Sequence, residues 1–255
     1  MVAPAELSAY LELVDVRSRA DLARTRAPEA LVARAASRAL LGWAARAIGL
    51  DPGRLGRRCP ACGASDHGAP SVPDRTSSPD RTIILSPTRA PGIVALAVAP
   101  GEVGLDVVRL DAEVPLSRAV FSGRERDHLK GATRAGEAPW GWSIKEAIGK
   151  LDGTGLLGAD VIALEDPTPP VPGDGRRGTA LGSPAPQARG AWRAATGARG
   201  RQCWVRTEEL LGCYAASIAM REAAPLVFRD AVAHGFPGSV VDARGIPSGV
   251  IDAQG

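Results

Sequence analysis

The stretch from Trp142 to Leu156, WSIKEAIGKLDGTGL, leaves the chain little choice of local structure. In a helix, Ile144, Ala147, Ile148 and Leu151 fall at i, i+3, i+4 and i+7 and form an apolar stripe that must face a core. Trp142, Glu146 and Lys150 then share the opposite face. Ser143 is the expected N-cap or first-turn residue, and DGTG just past Leu151 supplies the glycine that ends a helix. The spacing predicts a short, well-bounded helix whose polar face either carries chemistry or holds only an exposed Glu146–Lys150 pair worth about 0.3–0.5 kcal/mol.

Composition bears on that choice. Lysine and arginine together number 31, yet lysine occurs only at positions 130, 145 and 150. Arginine serves wherever charge alone is needed, whereas a compact ammonium meets a phosphate or metal-bound oxygen as a point charge. Two of the three lysines lie on this one helix, so Lys145 and Lys150 read as chosen residues.

The 255 residues, 45% of them apolar, suffice for one larger domain or two small lobes with a real core. A net charge of +3, from 31 basic and 28 acidic side chains, is too balanced for a nucleic-acid binder, which concentrates basic charge on one face. Small anionic ligands remain compatible with it. Near the N-terminus, Glu6, Glu12 and Asp15 interrupt what a signal peptide keeps apolar, and no run approaches a membrane span of about 20 apolar residues. The expectation is a cytoplasmic protein without a membrane partner. Four cysteines are too few for a disulfide framework, in keeping with a reducing compartment.

Along the chain, Pro28 is placed to open a helix that runs to about Ile48, with Gly49 as its stop and Arg34 and Arg38 one turn apart. The segment DPGRLGRRCPACGASDHGAPSVPDRTSSPD reads as an irregular connector. It holds Cys59, Cys62 and His67, but a tetrahedral zinc site needs a fourth ligand, and no second Cys or His pair follows nearby. From Ile83, TIILS, a Pro91–Gly92 break, IVALAVA and a Pro100–Gly101 turn into VGLDVV read as antiparallel strands. An acid in mid-strand costs stability unless it is solvated or given a cation, so Asp106 is either edge-exposed or a ligand. FSGRERDHLK is a helical approach to the central stretch, ADVIALEDPT begins a strand, and residues 167–200 read as a long surface excursion. QCWVRTEELLGCYAASIAM forms two strands around a turn, and the glycine-rich tail is expected to be poorly ordered. The fold class is α+β, with an N-terminal lobe at 1–108, a C-terminal lobe at 109–228 and a tail at 229–255.

These residues resemble the 4′-phosphopantetheinyl transferase superfamily, in particular its longer, two-lobed monomeric branch. The match rests on ASRALLG (36–42), HGAP (67–70), ILSPT (84–88), VGLDVV (103–108), FSGRE (121–125), WSIKEAIGKLDGTGL and GCYAASIA (212–219), in that order. Asp106 followed by Trp142, Lys145, Glu146 and Lys150 is the specific part; the other matches are individually weak. The resemblance implies two pseudo-twofold-related α+β lobes, each a small, mostly antiparallel sheet packed with helices. It also implies coenzyme A as co-substrate and an apo acyl or peptidyl carrier protein as partner, with a serine of the carrier receiving the phosphopantetheine arm.

On that resemblance, Asp106 and Glu146 are hard oxygen ligands for Mg²⁺, with Mn²⁺ as the alternative. Glu146 also accepts the serine proton, and Lys150 acts on the departing phosphate, the two being the catalytic residues. Lys145 and Lys150 meet phosphate oxygens, and Arg38 and Ser86 fall where family members contact the nucleotide. Three positions depart from the pattern. Val108 stands where a second acid is common, Ala69 where HGKP-like motifs carry Lys or Arg, and Pro87 where the usual motif has His. Each lost phosphate contact is a charge-assisted bond of about 1.5–3 kcal/mol, which implies weakened coenzyme A binding. Two other readings stand beside an active enzyme: a catalytically impaired relative that binds carrier proteins or regulates, and a small zinc module at Cys59, Cys62 and His67.

Overall fold

The computed structural model describes residues 4–14, 16–59, 62–65, 68–74, 81–131, 137–156, 159, 163–164, 192–227 and 231. They form an α+β protein with two antiparallel sheets. Its elements are α1 (Pro4–Leu13), α2 (Val16–Ala23), α3 (Pro28–Ala47), β1 (Gly56–Arg58), β2 (Ala69–Asp74), β3 (Arg81–Ala90), β4 (Ile93–Ala99), β5 (Val103–Arg109), α4 (Gly123–Gly131), α5 (Glu137–Asp152), β6 (Ala163–Leu164), β7 (Trp192–Thr196), β8 (Gln202–Leu210) and β9 (Tyr214–Met220).

The first sheet is the meander β1-β2-β3-β4. Helix α3 lies on it. Pro28 opens that helix, and Gly49, at φ 77°, takes the left-handed conformation that ends it. One side of α3 presents Ala35, Ala39 and Leu40 to Val14 and Leu22. Another presents Leu41 and Ala45 to Val72 and Leu85 of the sheet. The segment read as an irregular connector therefore contains two strands. Its prolines hide them from local pattern, whereas Val72, 1% exposed, fixes β2 by what it packs against.

The second sheet runs β5-β9-β8-β7-β6. The β3–β4 hairpin forms as expected around Pro91–Gly92, with Ala90 opposite Ile93. Strand β5 does not extend that hairpin. It pairs with β9, Asp106 opposite Ser217, so the Pro100–Gly101 turn carries the chain from one sheet into the other. The two strands expected near the C-terminus are β8 and β9, in register from Trp204–Met220 to Leu210–Tyr214. Strand β7 falls inside the stretch read as a surface excursion, and Trp192 and Ala195 tie it to β8. Apart from residue 231, the tail lies outside the described residues.

The sheets meet face to edge. Val103 and Leu105 pack with Ala99 and Ile218, and Val107 packs with Tyr214 and Ala216 against Ala90, Ile93 and Ala95. On the opposite side of the second sheet, α5 buries Ile144, Ala147, Ile148 and Leu151, the stripe read from the sequence. The helix starts earlier than expected, at Glu137. Ser143 is consequently interior to it, and its hydroxyl donates to the Trp140 carbonyl at 3.0 Å and lies 2.7 Å from the Ser217 hydroxyl. Gly153, at φ 70°, ends the helix where the sequence placed its stop.

Gly104 sets the spacing between α5 and β5. A Cβ there would run into the Ala147 carbonyl and approach the Leu151 amide to 2.8 Å, so the helix lies directly on the strand backbone. Gly104→Ala is expected to lose about 3 kcal/mol or more of stability in urea unfolding, because backbone on both sides leaves nowhere for the methyl. Gly101→Ala, which faces open space, should stay within about 0.5 kcal/mol of wild type.

Candidate active site

The site is built on the free edge of β5. One edge of that strand is taken by β9, leaving the backbone groups of Leu105 and Val107 without a ladder partner on the other. Side chains supply the partners. Ser86 accepts from the Leu105 N–H at 2.9 Å and Thr88 from the Val107 N–H at 3.3 Å. Lys150 donates to the Leu105 carbonyl at 3.0 Å. Ser86 and Thr88 are two residues apart on β3 and so point the same way, which joins the sheets through hydroxyls in place of a ladder.

Asp106 sits among these groups, its side chain 9% exposed. Its Oδ1 accepts from the Thr88 hydroxyl at 3.0 Å and from Lys150 Nζ at 2.8 Å. Of the two states open to a mid-strand acid, Asp106 adopts the buried one, with a cation. Glu146, one turn before Lys150 on α5, places Oε1 3.8 Å from the same Nζ. Asp106 of β5 and the Glu146–Lys150 pair of α5, some way apart in sequence, are thus one cluster. Burial pushes the Glu146 carboxyl above its ordinary 4.5; Lys150 opposes that rise and the charge of Asp106 adds to it.

The cluster opens onto a cleft of about 500 Å³ lined by Asp106, Glu146, Trp142, Arg89, Arg109 and Leu156, among others. Arg109 is held by a two-pronged contact with Asp111 at 2.8 and 2.7 Å and lies 5.9 Å from the centre of the Tyr214 ring. Asp111 is the main reason that its guanidinium stays protonated beyond the usual range. Arg89 and Arg109 line the cleft beside three carboxylates, Asp106, Asp111 and Glu146, and Arg89 comes from the first sheet while Arg109 comes from the second.

Lys145, expected at the phosphates, is placed elsewhere. It is 1% exposed, with Nζ 3.0 Å from Glu125 Oε2, within hydrogen-bonding distance of the Ala159 carbonyl and 5.7 Å from the Phe121 ring centre. The residue before Glu146 points away from the polar face, as helical geometry requires. Glu125 is the reason this buried cation is tolerated. The same carboxylate accepts from the Ser122 N–H at 2.7 Å, while the Ser122 hydroxyl accepts from the Glu125 N–H at 3.3 Å, a reciprocal cap on α4. The S-x-x-E pattern within FSGRE carried that signal, and the pairing of Glu125 with Lys145 needed the tertiary structure. Thr88 was likewise missed as an Asp106 partner, although its spacing from Ser86 gave the face. Arg38 stands partly exposed on α3, outside the cluster.

Residues 102–177 match the family model described as the 4′-phosphopantetheinyl transferase superfamily. That match takes in β5, α4 and α5. The matched segment contains Asp106, Glu125, Lys145, Glu146 and Lys150. No individual curated protein matches the chain. Superfamily domains of this kind transfer phosphopantetheine, with coenzyme A as substrate.

A divalent cation fits the donor set. Two carboxylate oxygens, hard ligands on separate elements, share one cleft, and an ammonium already stands where positive charge between them is favoured. Among the described residues no group of three or more His, Cys, Asp or Glu could hold a metal ion, so most of the coordination sphere would come from water and substrate. At the third candidate location Cys59 is buried and Cys62 exposed, and His67 lies outside the described residues. Among the described residues no helix is long and apolar enough to cross a membrane.

Two outcomes follow from these burials. An acid whose pKa is raised by folding costs stability once it must ionise, so the penalty at Glu146 begins as pH rises through 4.5 and is complete above the raised value. In metal-free buffer, Glu146→Gln should melt higher than wild type at neutral pH, and the gap should close near about pH 4, where Glu146 is protonated in both states. Lys145→Met, by contrast, leaves Glu125 buried without its cation and should cost about 3–5 kcal/mol in urea unfolding, part of which Glu125→Gln should restore.

Proposed function

We propose that the protein is a holo-carrier-protein synthase, moving the 4′-phosphopantetheine arm of coenzyme A onto a serine of an apo acyl or peptidyl carrier protein, with Mg²⁺ or Mn²⁺ bound by Asp106 and Glu146. The observation that carries this reading is the cluster of Asp106, Glu146 and Lys150 within the matched segment, whose two carboxylates line one cleft. The reading places coenzyme A across that cleft in a monomer of the longer, two-lobed branch, acting in the cytoplasm.

In this reading the serine oxygen forms a bond to the β-phosphorus as the bond to the α-phosphate oxygen breaks, releasing 3′,5′-ADP. Bound metal would polarise the phosphoryl group and offset its charge. Glu146, whose basicity burial has raised, accepts the serine proton directly or through one water. Lys150 gives its ammonium to diphosphate oxygens and supports the leaving group. Ser86 spends its acceptor on the Leu105 N–H and has its own O–H to offer a phosphate, and Arg38 supplies a further cation for the nucleotide. Lys145 contributes by position: through Glu125 it ties α5 to α4 and so fixes the neighbouring Glu146.

The catalytically impaired alternative is favoured by two residues, Ala69 and Pro87, which offer no side-chain contact to phosphate. Intact-mass spectrometry of an apo carrier protein incubated with coenzyme A, Mg²⁺ and this protein decides between them. A gain of one phosphopantetheine arm is the expected result, and no gain at saturating coenzyme A would leave the impaired reading. Glu146→Gln should abolish turnover without unfolding the protein. Restoring Ala69→Lys and Pro87→His should lower KM for coenzyme A with little change in kcat, because remote contacts made equally in ground and transition states affect binding alone.

A further inference from the structure

Lys150 Nζ faces Asp106 Oδ1 at 2.8 Å, the Leu105 carbonyl at 3.0 Å and Glu146 Oε1 at 3.8 Å. An ammonium has three N–H donors; Asp106 and the Leu105 carbonyl lie within hydrogen-bond length of this one, and Glu146 stands further off as an ion-pair partner. The ammonium therefore stands between the two carboxylates that suit a divalent cation. A divalent ion entering there meets a like charge about one hydrogen-bond length away, in a site where burial weakens screening. The geometry points to Lys150 as a built-in counter-ion that keeps Asp106 and Glu146 closed to divalent metal until an anionic ligand draws the ammonium away. The inference rests on the proposed placement of coenzyme A and metal at this cleft.

The side chain can make that exchange without moving the helix. Its backbone is fixed on α5, whereas its flexible stem lets the ammonium swing, and the side chain keeps 26% exposure beside the two carboxylates that line the cleft. A diphosphate in the cleft offers several anionic oxygens in return for the contacts given up. Once the ammonium leaves, Asp106 keeps the Thr88 hydroxyl at 3.0 Å, so its carboxylate stays aimed while its charge is released to a metal. Metal and coenzyme A then promote each other's binding by a common factor, as linkage requires. Bridging of metal to phosphate would also give such coupling. The two differ in the metal alone: only a counter-ion suppresses metal affinity when no coenzyme A is present.

The test is a titration of the full-length, metal-stripped protein with Mn²⁺, reading free ion by electron paramagnetic resonance, with and without coenzyme A. Wild type is compared with Lys150→Met and Lys150→Gln; the second keeps a hydrogen-bond donor near Asp106 and serves if the first fails to melt cooperatively. Without coenzyme A, the neutral variants should bind Mn²⁺ at least about tenfold more tightly than wild type. The factor by which coenzyme A raises Mn²⁺ affinity should shrink correspondingly. Equal or weaker Mn²⁺ binding by the variants alone overturns the counter-ion role, and the metal site survives if coenzyme A still promotes binding in wild type. No Mn²⁺ binding by any of the three proteins at saturating coenzyme A overturns the site itself and the inference with it.

Discussion

Everything in the candidate site depends on how closely α5 lies on β5. Gly104 has no Cβ, and the Ala147 carbonyl and Leu151 amide occupy the space one would need. That approach brings Lys150 within reach of Leu105 and Asp106, and it puts Glu146 on the same side. At the C-terminal end of the helix a Cβ on Gly149 would meet the Gly155 backbone, so the turn leaving α5 folds closely back on it. The amides of Thr154 and Gly155 both donate to the Gly149 carbonyl, at 2.9 and 3.0 Å. Close packing of backbone against backbone leaves no compliance, which suits a site whose reacting groups must hold position.

Ion pairs then anchor the helix at two levels. Lys145 meets Glu125 near the first half of α5, and Asp152 at its end meets Arg221 at 2.6 Å. Arg221 reaches on to Glu102 at 2.7 Å, just before β5 begins, so the end of the helix and the start of the strand share one guanidinium. Buried pairs of this kind are poor sources of net stability, since desolvation cancels much of the attraction. Their contribution is to register, because either partner left alone is penalised heavily. The two lysines of the helix divide accordingly: Lys150 stands against Asp106 and Glu146, and Lys145 is buried in the core.

The free edge of β5 is the other unusual element. Edge strands ordinarily invite another strand, and here Ser86, Thr88 and Lys150 occupy the edge with side-chain groups. The same substitution of hydroxyls for a ladder joins the two sheets while leaving room for a cleft with arginines from both. Asp106 gains its hydrogen bond from Thr88 as a by-product of that junction. The site and the junction of the two sheets are therefore one set of contacts.

The periodicity of residues 142–156 by itself determined the helix, its buried stripe and its polar pair, because a helical repeat of apolar residues has only one face to bury. Turn chemistry at Pro91–Gly92 and Gly49 determined where strands and a helix stop, and Asp106, Glu146 and Lys150 stood out as motif residues before the structure joined them, as did Lys145, which it placed elsewhere. Local pattern could not place β2 behind its prolines, assign β5 to the second sheet or extend α5 back to Glu137, since each of those is decided by what lies across the core. Helical spacing sets Lys145 off the face shared by Glu146 and Lys150, but it could not say what either ammonium would meet. Tertiary structure decided that. One ammonium was buried against a capping carboxylate, and the other was set between two acids at an open edge, because residues five apart on a helix face different neighbours.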